Sequence, residues 1–253
     1  MKFGILAGGE GSRLKNEGID VPKPMVMLNG EPLVYRLIKI FERCDAESIS
    51  VFVNETMTEV IENLKDFKSS VSCPLEIYTG LTPSSFHSFA RLVEFMNPSD
   101  KFVVTTVDTV FNEKSFRNYI EDFKKASAGI DGIMGTTFYI DDEKPLYIET
   151  ENRERGIIRL FSNHPGDGRN EISAGVYGLK CSSLPVIQDS VEKGIHKMRN
   201  FQAELVKRGL KLKVFNLGDV VDIDHKRDLE LARYLTDSSH IPESYKNDSL
   251  CQR

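Results

Sequence analysis

The sequence predicts an α/β protein in which a mainly parallel sheet is flanked by helices. Strand-like and helix-like segments alternate from residue 2 to residue 126, which is typical of βαβ units. A glycine cluster, GGEG, follows the first apolar strand, as expected for a loop at the carboxyl end of a sheet strand. From Gly132 onward several short strands follow one another. This change of rhythm indicates a β-rich insertion over residues 130–180.

The individual elements can be given in chain order. Short apolar runs predict the strands KFGIL, SISVFV, PLEIY and KFVVTT. Apolar residues spaced three and four apart predict the intervening helices LVYRLIKIFERC, MTEVIENLKDF, SSFHSFARLVEF and KSFRNYIEDFKKA. The β-rich part contains GIMGTTFYI, PLYIET, GIIRLF and ISAGVYGL, with the charged turn ENRERG before the third of them. The chain closes with the helices SLPVIQDSVEKG and FQAELVKRG, the strand LKVFNL and the helix HKRDLELARYL.

This pattern predicts one domain over residues 1–235 and a polar tail over residues 236–253. With 253 residues and 40% hydrophobic side chains, the chain is long enough to bury a core. The net charge of -5 argues against a broad nucleic-acid-binding surface. No segment reaches the roughly 18 apolar residues that a membrane span requires. We therefore expect a soluble protein that binds neither nucleic acid nor a membrane.

The cysteines and histidines are dispersed along the chain. The four cysteines show neither metal-site nor disulfide spacing, which favours a reducing cytoplasm. The five histidines likewise give no sign of a metal cluster or a nucleophilic triad. Oligomeric state is not determined by these features, and a homo-oligomer stays an open alternative.

The segment Gly8-Gly9-Glu10-Gly11-Ser12-Arg13-Leu14 is a candidate phosphate cradle. Glycines let backbone N–H groups approach an anion closely, and the turn follows a strand. It is not a dinucleotide fingerprint, because Leu14 stands where glycine or alanine is needed, and no Walker A sequence is present. An ordinary glycine-rich turn is the alternative.

The next motif places a lysine between two prolines, Pro22-Lys23-Pro24. The prolines restrict the backbone on both sides, so the ammonium group projects from a stiff segment. Arg13 offers a planar fork to phosphate oxygens and Lys23 a compact charge. Together they could neutralise two parts of a polyphosphate.

LAGGEGSRL followed by PKPMV resembles the sugar-1-phosphate nucleotidylyltransferase family, whose pattern is L-A-G-G-x-G-[ST]-R-L and then K-P. The resemblance implies a Rossmann-like sheet with a β-rich acceptor-binding part. It also implies that Arg13 contacts the leaving phosphates and Lys23 the reacting phosphates. The residues that it assigns to nucleotide binding are Leu6, Ala7, Gly8, Gly9, Gly11 and Ser12.

The resemblance also implies a Mg²⁺ site held by two aspartates. Asp108 follows the strand KFVVTT and matches the first metal-binding aspartate, while Thr109-Val110 departs from the family's acidic or glycine-bearing step. Asp222, in VVDID, matches the second. Asp224 is either a further acid of this site or the cap of the last helix. Carboxylate and phosphate oxygens suit Mg²⁺.

Two further segments are assigned to substrates. Thr82 and Ser85 lie where the family binds the nucleobase, although capping of the helix SSFHSFARL explains the serines equally well. Gly175, in SAGVY, matches the glycine of the family's N-[AT]-G-[IVL]-[YF] strand, which lies near the sugar, with serine replacing the asparagine. Glu171 is either a ligand of sugar hydroxyls or a solvated strand-edge acid.

The predicted reaction is transfer of a nucleoside monophosphate from an NTP to a sugar 1-phosphate, with release of pyrophosphate. Two alternatives are open. The first is cytidylyl transfer to phosphocholine or another small phosphomonoester, and the second is a catalytically silent regulatory homologue that binds nucleotide sugars.

Overall fold

The computed structural model describes residues 1–139, 144–151, 156–166 and 170–236. Most of the predicted turn ENRERG and all but the first residue of the predicted tail lie outside the described residues. The strands are β1 (Lys2–Ala7), β2 (Met27–Leu28), β3 (Glu31–Pro32), β4 (Ser48–Val53), β5 (Leu75–Thr79), β6 (Lys101–Thr106), β7 (Thr109–Phe111), β8 (Gly132–Thr137), β9 (Tyr147–Thr150), β10 (Ile158–Ser162), β11 (Glu171–Lys180), β12 (Leu212–Asn216) and β13 (Val220–Asp222). The helices are α1 (Ser12–Asn16), α2 (Leu33–Glu42), α3 (Thr58–Phe67), α4 (Ser85–Met96), α5 (Glu113–Lys125), α6 (Leu184–Glu192), α7 (Met198–Lys207) and α8 (Lys226–Thr236).

The central sheet confirms the predicted fold class. Its main path runs β10-β9-β11-β6-β1-β4-β5, and β8 and β12 join it beside β11. The strands β5, β4, β1 and β6 are parallel, whereas β11 runs antiparallel to β6 and to β8. The β-rich part is thus an extension of the same sheet. The strand order reverses between β1 and β6, and ligands of open α/β sheets bind at such a position, beyond the carboxyl ends of the strands.

Alternating side chains of the strands pack into two apolar layers, one on each face of the sheet. In β1, Phe3 and Ile5 pack with the layer under α2, α3, α5 and α8. Leu6 points the other way, into the layer under α4, α6 and α7. Burial of both faces explains why the parallel strands read as nearly continuous apolar runs in the sequence.

Two observations bear on the predictions from composition. No helix in the described part of the chain is long and apolar enough to cross a membrane. Cys44, Cys73 and Cys181 are free thiols, while Cys251 lies outside the described residues.

Candidate active site

The glycine-rich loop joins β1 to α1 and lies against the side chain of Lys23. A Cβ added to Gly9 would lie 3.2 Å from the Lys23 Cδ, and one added to Gly11 would lie 3.3 Å from its Cγ. Gly11 also has a φ of +72°, which other residues rarely adopt. The backbone N–H of Lys23 donates to the carbonyl of Gly9 at 3.3 Å. These two glycines therefore make room for the lysine that crosses the loop.

Lys23 and Arg13 share one carboxylate. The Lys23 Nζ donates to Asp108 Oδ2 at 2.6 Å and to Asp224 Oδ1 at 2.5 Å. Arg13 Nη1 donates to the other oxygen of Asp224, Oδ2, at 2.8 Å. Burial acts to lower the pKa of the Lys23 amine, but the Asp108 and Asp224 carboxylates outweigh it and raise the pKa above its ordinary value. Lys23 is therefore charged at neutral pH.

A short pair of strands brings Asp222 next to Asp108. Asp222 in β13 lies opposite Thr109 in β7, and the N–H of Ile223 donates to the carbonyl of Asp108 at 3.0 Å. Thr109 Oγ1 donates to Asp222 Oδ1 at 2.8 Å. Since the Thr109 proton is directed at the carboxylate, the Thr106 hydroxyl is the donor in the 2.6 Å bond between the two threonines.

The Asp222 side chain reaches solvent at the mouth of the site and is otherwise surrounded by protein. The loss of hydration in these surroundings is the largest influence on the Asp222 carboxyl and raises its pKa above the usual range; the negative charge of Asp108 acts in the same direction. The bond from Thr109 and the charge of Lys23 act in the opposite direction. The two carboxylates thus repel each other, and a divalent cation between them would relieve that repulsion.

The first turn of α8 is held by Asp228 and Glu17, which corrects the interpretation of Asp224 as a cap. Asp228 Oδ2 accepts the N–H groups of Asp224 and His225 at 2.9 and 2.6 Å. Glu17 accepts the N–H of Lys226 through Oε2 at 2.6 Å, and its Oε1 lies 2.6 Å from His225 Nδ1. The Asp224 carboxylate is therefore directed at the two cations.

In the loop after β5, Ser84 caps α4. Its side chain accepts the N–H of His87 at 3.4 Å, and Ser85 is the first helical residue. The hydroxyl of Thr82 lies 2.6 Å from that of Ser88. Neither of the two predicted base-binding residues is thus the helix cap.

A cavity opens beside Asp222 between β8, β11, β13 and the start of α8. Its wall combines hydroxyl groups, both signs of charge and small apolar surface. It is lined by Arg13, Thr137, Tyr139, Ile172, Ser173, Ala174, Val220, Val221, Asp222, Asp224, His225, Arg227 and Asp228.

The two predicted sugar-binding residues lie beside this cavity and are not part of its wall. The Glu171 carboxylate accepts a hydrogen bond from the Thr136 hydroxyl. Gly175 has a φ of +67°, and a Cβ there would lie 2.5 Å from Thr109 Oγ1 and 3.0 Å from Thr106 Oγ1. The glycine therefore allows β11 to approach the threonine pair that supports Asp222.

A sequence profile of the MobA-like NTP transferase domain matches residues 4–136, just over half of the chain. The chain belongs to this family. The matched part of the NTP transferase domain contains the glycine-rich loop, Lys23 and Asp108 and ends before Asp222. The match confirms the resemblance that the first two motifs carry.

Two curated relatives of the chain are named as mannose-1-phosphate guanylyltransferases. A probable mannose-1-phosphate guanylyltransferase of Oryza sativa is 28% identical over 203 residues, which cover 77% of this chain and 55% of that protein. A mannose-1-phosphate guanyltransferase of Saccharomyces cerevisiae is 27% identical over 201 residues, with coverage of 76% and 54%. The chain thus spans about half the length of the curated relatives that it matches.

Solved structures share the fold across nearly all of both chains. A putative glucose-1-phosphate thymidylyltransferase from Bacillus anthracis superposes with a TM-score of 0.78 at 20% identity, covering 97% of this chain and 99% of that one. An inositol-1-phosphate CTP transferase from T. maritima gives a TM-score of 0.73 at 18% identity, with coverage of 95% and 98%. At these identities the likeness concerns the fold of the NTP transferase domain.

For two residues of the candidate site, the structure shows a contact that the sequence does not predict. In the sequence Thr109 is only a departure from the family motif, yet its hydroxyl orients Asp222. The double contact of Asp224 was missed as well. For Thr109, its place one residue after Asp108 was the available signal. For Asp224, no signal in the sequence joins it to positions 13 and 23.

Proposed function

We propose that the protein is a nucleotidylyltransferase that transfers a nucleoside monophosphate from an NTP to a sugar 1-phosphate. One observation carries the proposal: two cations, Arg13 and Lys23, converge with two carboxylates, Asp108 and Asp222, where the strand order reverses. This set suits a reaction between two phosphate anions, because such a reaction requires alignment and cancellation of charge. The names of the curated relatives support the same chemistry.

Asp108 and Asp222 fit a Mg²⁺ ion. Both offer carboxylate oxygens. The pKa of Asp222 is raised first by loss of hydration and then by the negative charge of Asp108, and a cation would favour the charged form of this carboxylate. In the described ranges no group of three or more acidic, histidine or cysteine side chains is arranged around a metal position. Water and phosphate oxygens would therefore complete the coordination shell. When bound, Mg²⁺ supplies charge neutralisation at the phosphate oxygens.

The reaction needs no covalent enzyme intermediate. An oxygen of the acceptor phosphate forms a bond to the α-phosphorus of the NTP, the bond from that phosphorus to the β-phosphate bridging oxygen breaks, and pyrophosphate leaves with the electron pair. Because the attacking phosphate is already anionic at neutral pH, a general base is unnecessary. Lys23 and Arg13 hold the phosphates in line.

We place the nucleotide and the sugar relative to these two cations. The loop of Leu6, Ala7, Gly8, Gly9, Gly11 and Ser12 would carry the nucleotide, and the loop with Thr82 and Ser85 would face its base. The sugar would enter the cavity beside Asp222. Glu171 and Gly175 would then act through their neighbours in the sheet. We also propose that residues 1–235 form one catalytic domain, since the sheet runs through both halves of the chain. The dispersed cysteines support a location in the reducing cytoplasm.

The character of the cavity favours a sugar over phosphocholine. A quaternary ammonium group is recognised by several Trp, Tyr or Phe faces, whereas Tyr139 is the single side chain of these three types among the described lining residues. The silent regulatory alternative is disfavoured by the presence of both cations and both acids, since a binder has little need of this complete set.

The direct experiment offers each of the four NTPs with Mg²⁺ to a panel of sugar 1-phosphates and measures pyrophosphate. Phosphocholine is included in the panel as the competing acceptor. Release of pyrophosphate that requires both an NTP and a sugar 1-phosphate supports the proposal. Release with phosphocholine only would favour the second assignment, and no release from folded protein would favour the regulatory homologue.

A further inference from the structure

The side chain of Asp224 links the two cations of the site. Its Oδ1 accepts from Lys23 Nζ at 2.5 Å and its Oδ2 accepts from Arg13 Nη1 at 2.8 Å. The Asp224 side chain is 38% exposed and lines the cavity, whereas that of Lys23 is only 12% exposed. A single carboxylate thus occupies donors that belong to two different segments of the chain.

The position of this carboxylate is fixed by the backbone. The N–H of Asp224 donates to Asp228 Oδ2, and the following residues are held by Asp228 and Glu17. The carboxylate therefore projects from an anchored turn at the start of α8. On the other side, the stem of Lys23 lies on Gly9 and Gly11, so the ammonium group has little freedom to move away.

Like charges placed side by side repel each other, and the Arg13 side chain is half exposed. The Asp224 carboxylate between Arg13 and Lys23 offsets this repulsion. A carboxylate and a phosphate offer the same kind of acceptor to an ammonium and a guanidinium group, namely two anionic oxygens with a fixed separation. A triphosphate that binds these cations competes with Asp224 for their N–H donors.

We propose that Asp224 is a positioning residue that stands in for a phosphate group of the nucleotide. It holds Arg13 and Lys23 in the geometry that a polyphosphate requires, and the incoming phosphates replace it. This inference rests on the proposed function. It assigns Asp224 a role different from that of Asp108 and Asp222, because Asp224 contacts both cations, whereas Asp108 contacts Lys23 alone and Asp222 contacts Thr109.

The consequence is a competition that can be measured in the absence of metal. In Asp224→Asn the amide keeps the shape of the side chain and removes its negative charge. Inorganic pyrophosphate, a compact anion with two phosphate groups, then meets the two cations with one competing carboxylate fewer, since only Asp108 still contacts Lys23. We expect its dissociation constant, measured by calorimetry in the presence of a chelator, to fall at least about threefold relative to the wild-type protein.

The matched control is Asp219→Asn, which makes the same charge change at an exposed residue of the turn before β13. We expect this variant to bind pyrophosphate as the wild type does. A second measurement, turnover with saturating NTP and Mg²⁺, should show that Asp224→Asn lowers kcat, because the more tightly held pyrophosphate leaves the site more slowly. A structural defect would lower both binding and turnover.

Unchanged or weaker metal-free binding in Asp224→Asn would overturn the inference, as would equal tightening in Asp219→Asn. Failure of the proposed function gives a different result. In that case the wild-type protein with Mg²⁺ would bind neither pyrophosphate nor any NTP.

Discussion

Thr109 donates a hydrogen bond of 2.8 Å to Asp222, a residue 113 positions later in the chain. The contact exists because β7 and β13 pair with these two residues opposite each other. It fixes the orientation of one of the two carboxylates that would hold the metal. Hydrogen bonds that orient a metal ligand typically change affinity or activity by about 10–100-fold when removed.

We expect Thr109→Val to lower kcat about tenfold and to raise the Mg²⁺ concentration needed for half-maximal activity. Valine has nearly the shape of threonine and lacks the hydroxyl that bonds Asp222. The measurement is a Mg²⁺ titration of pyrophosphate release.

Thr105→Val is the matched control for this substitution. The Thr105 hydroxyl is buried without a hydrogen-bond partner among the described residues. Its removal should leave activity unchanged and leave thermal stability equal or slightly higher. Equal loss of activity in the two valine variants would show that the Thr109 hydroxyl has no special role.

Asp108→Asn should reduce pyrophosphate release at least about a hundredfold, since it removes a carboxylate from the site where phosphate charge must be neutralised. The fold should persist, because Asp108 lies beyond the carboxyl end of β6 and is partly exposed. Circular dichroism spectra of the variant and the wild type check the fold. Activity within a fewfold of wild type would remove Asp108 from the site.

Gly175→Ala should destabilise the protein by about 1–3 kcal/mol and lower kcat as well. The new Cβ would lie 2.5 Å from Thr109 Oγ1, so the threonine pair would have to shift and would carry Asp222 with it. Chemical denaturation and steady-state kinetics are the two measurements.

Gly194→Ala is the control that separates the effect of backbone strain from the effect of the contact between the new Cβ and Thr109. Gly194 has a φ of +69°, close to that of Gly175, and an added Cβ there meets no atom within 4 Å. It should destabilise by about 1 kcal/mol and leave kcat unchanged. If it lowers kcat as much as Gly175→Ala does, the contact with Thr109 is irrelevant.

Much of the fold could be predicted from the sequence. SISVFV and KFVVTT match β4 and β6 without a shift, and α2 to α5 begin within one residue of their predicted starts. These elements are long or strongly apolar, so their periodicity is clear. By contrast, β7 and β13 have three residues each, too few to show a period, and their pairing joins distant parts of the chain. They are nevertheless the strands that assemble the acids.

The site was predictable to a similar degree. The motif resemblance indicated Arg13, Lys23, Asp108 and Asp222, and the structure brings all four together. It could not indicate that Gly9 and Gly11 accommodate the Lys23 side chain, because that contact depends on how the segment returns over the loop. Nor could it indicate the ion pairs of Asp224, which depend on the placement of α8.

The pair of His225 and Glu17 predicts a pH dependence of stability. The bond to Glu17 raises the pKa of His225. Protonated His225 therefore stabilises the folded state fully below pH 6.5, its ordinary pKa, and this stabilisation is lost as the pH rises through the raised pKa. The N–H of Lys226, followed by the bond to His225, lowers the pKa of Glu17. The ionised Glu17 carboxylate therefore stabilises the folded state above pH 4.5, its ordinary pKa, and this stabilisation is lost as the pH falls through the lowered pKa.

Thermal unfolding of wild type and Glu17→Gln at several pH values checks this sign. The difference in melting temperature should be largest between pH 4.5 and 6.5 and smaller at pH 8. A difference that grows steadily toward alkaline pH would contradict the assignment.

We propose above all that Arg13, Lys23, Asp108 and Asp222 form the site of a sugar-1-phosphate nucleotidylyltransferase. The most direct test is pyrophosphate release from the four NTPs, with Mg²⁺ and a panel of sugar 1-phosphates, by wild-type protein and Asp108→Asn. We expect pyrophosphate release by the wild type that depends on metal, nucleotide and sugar phosphate together, and loss of this activity in the variant. No release by folded wild-type protein across the panel, or equal release by the variant, would contradict it.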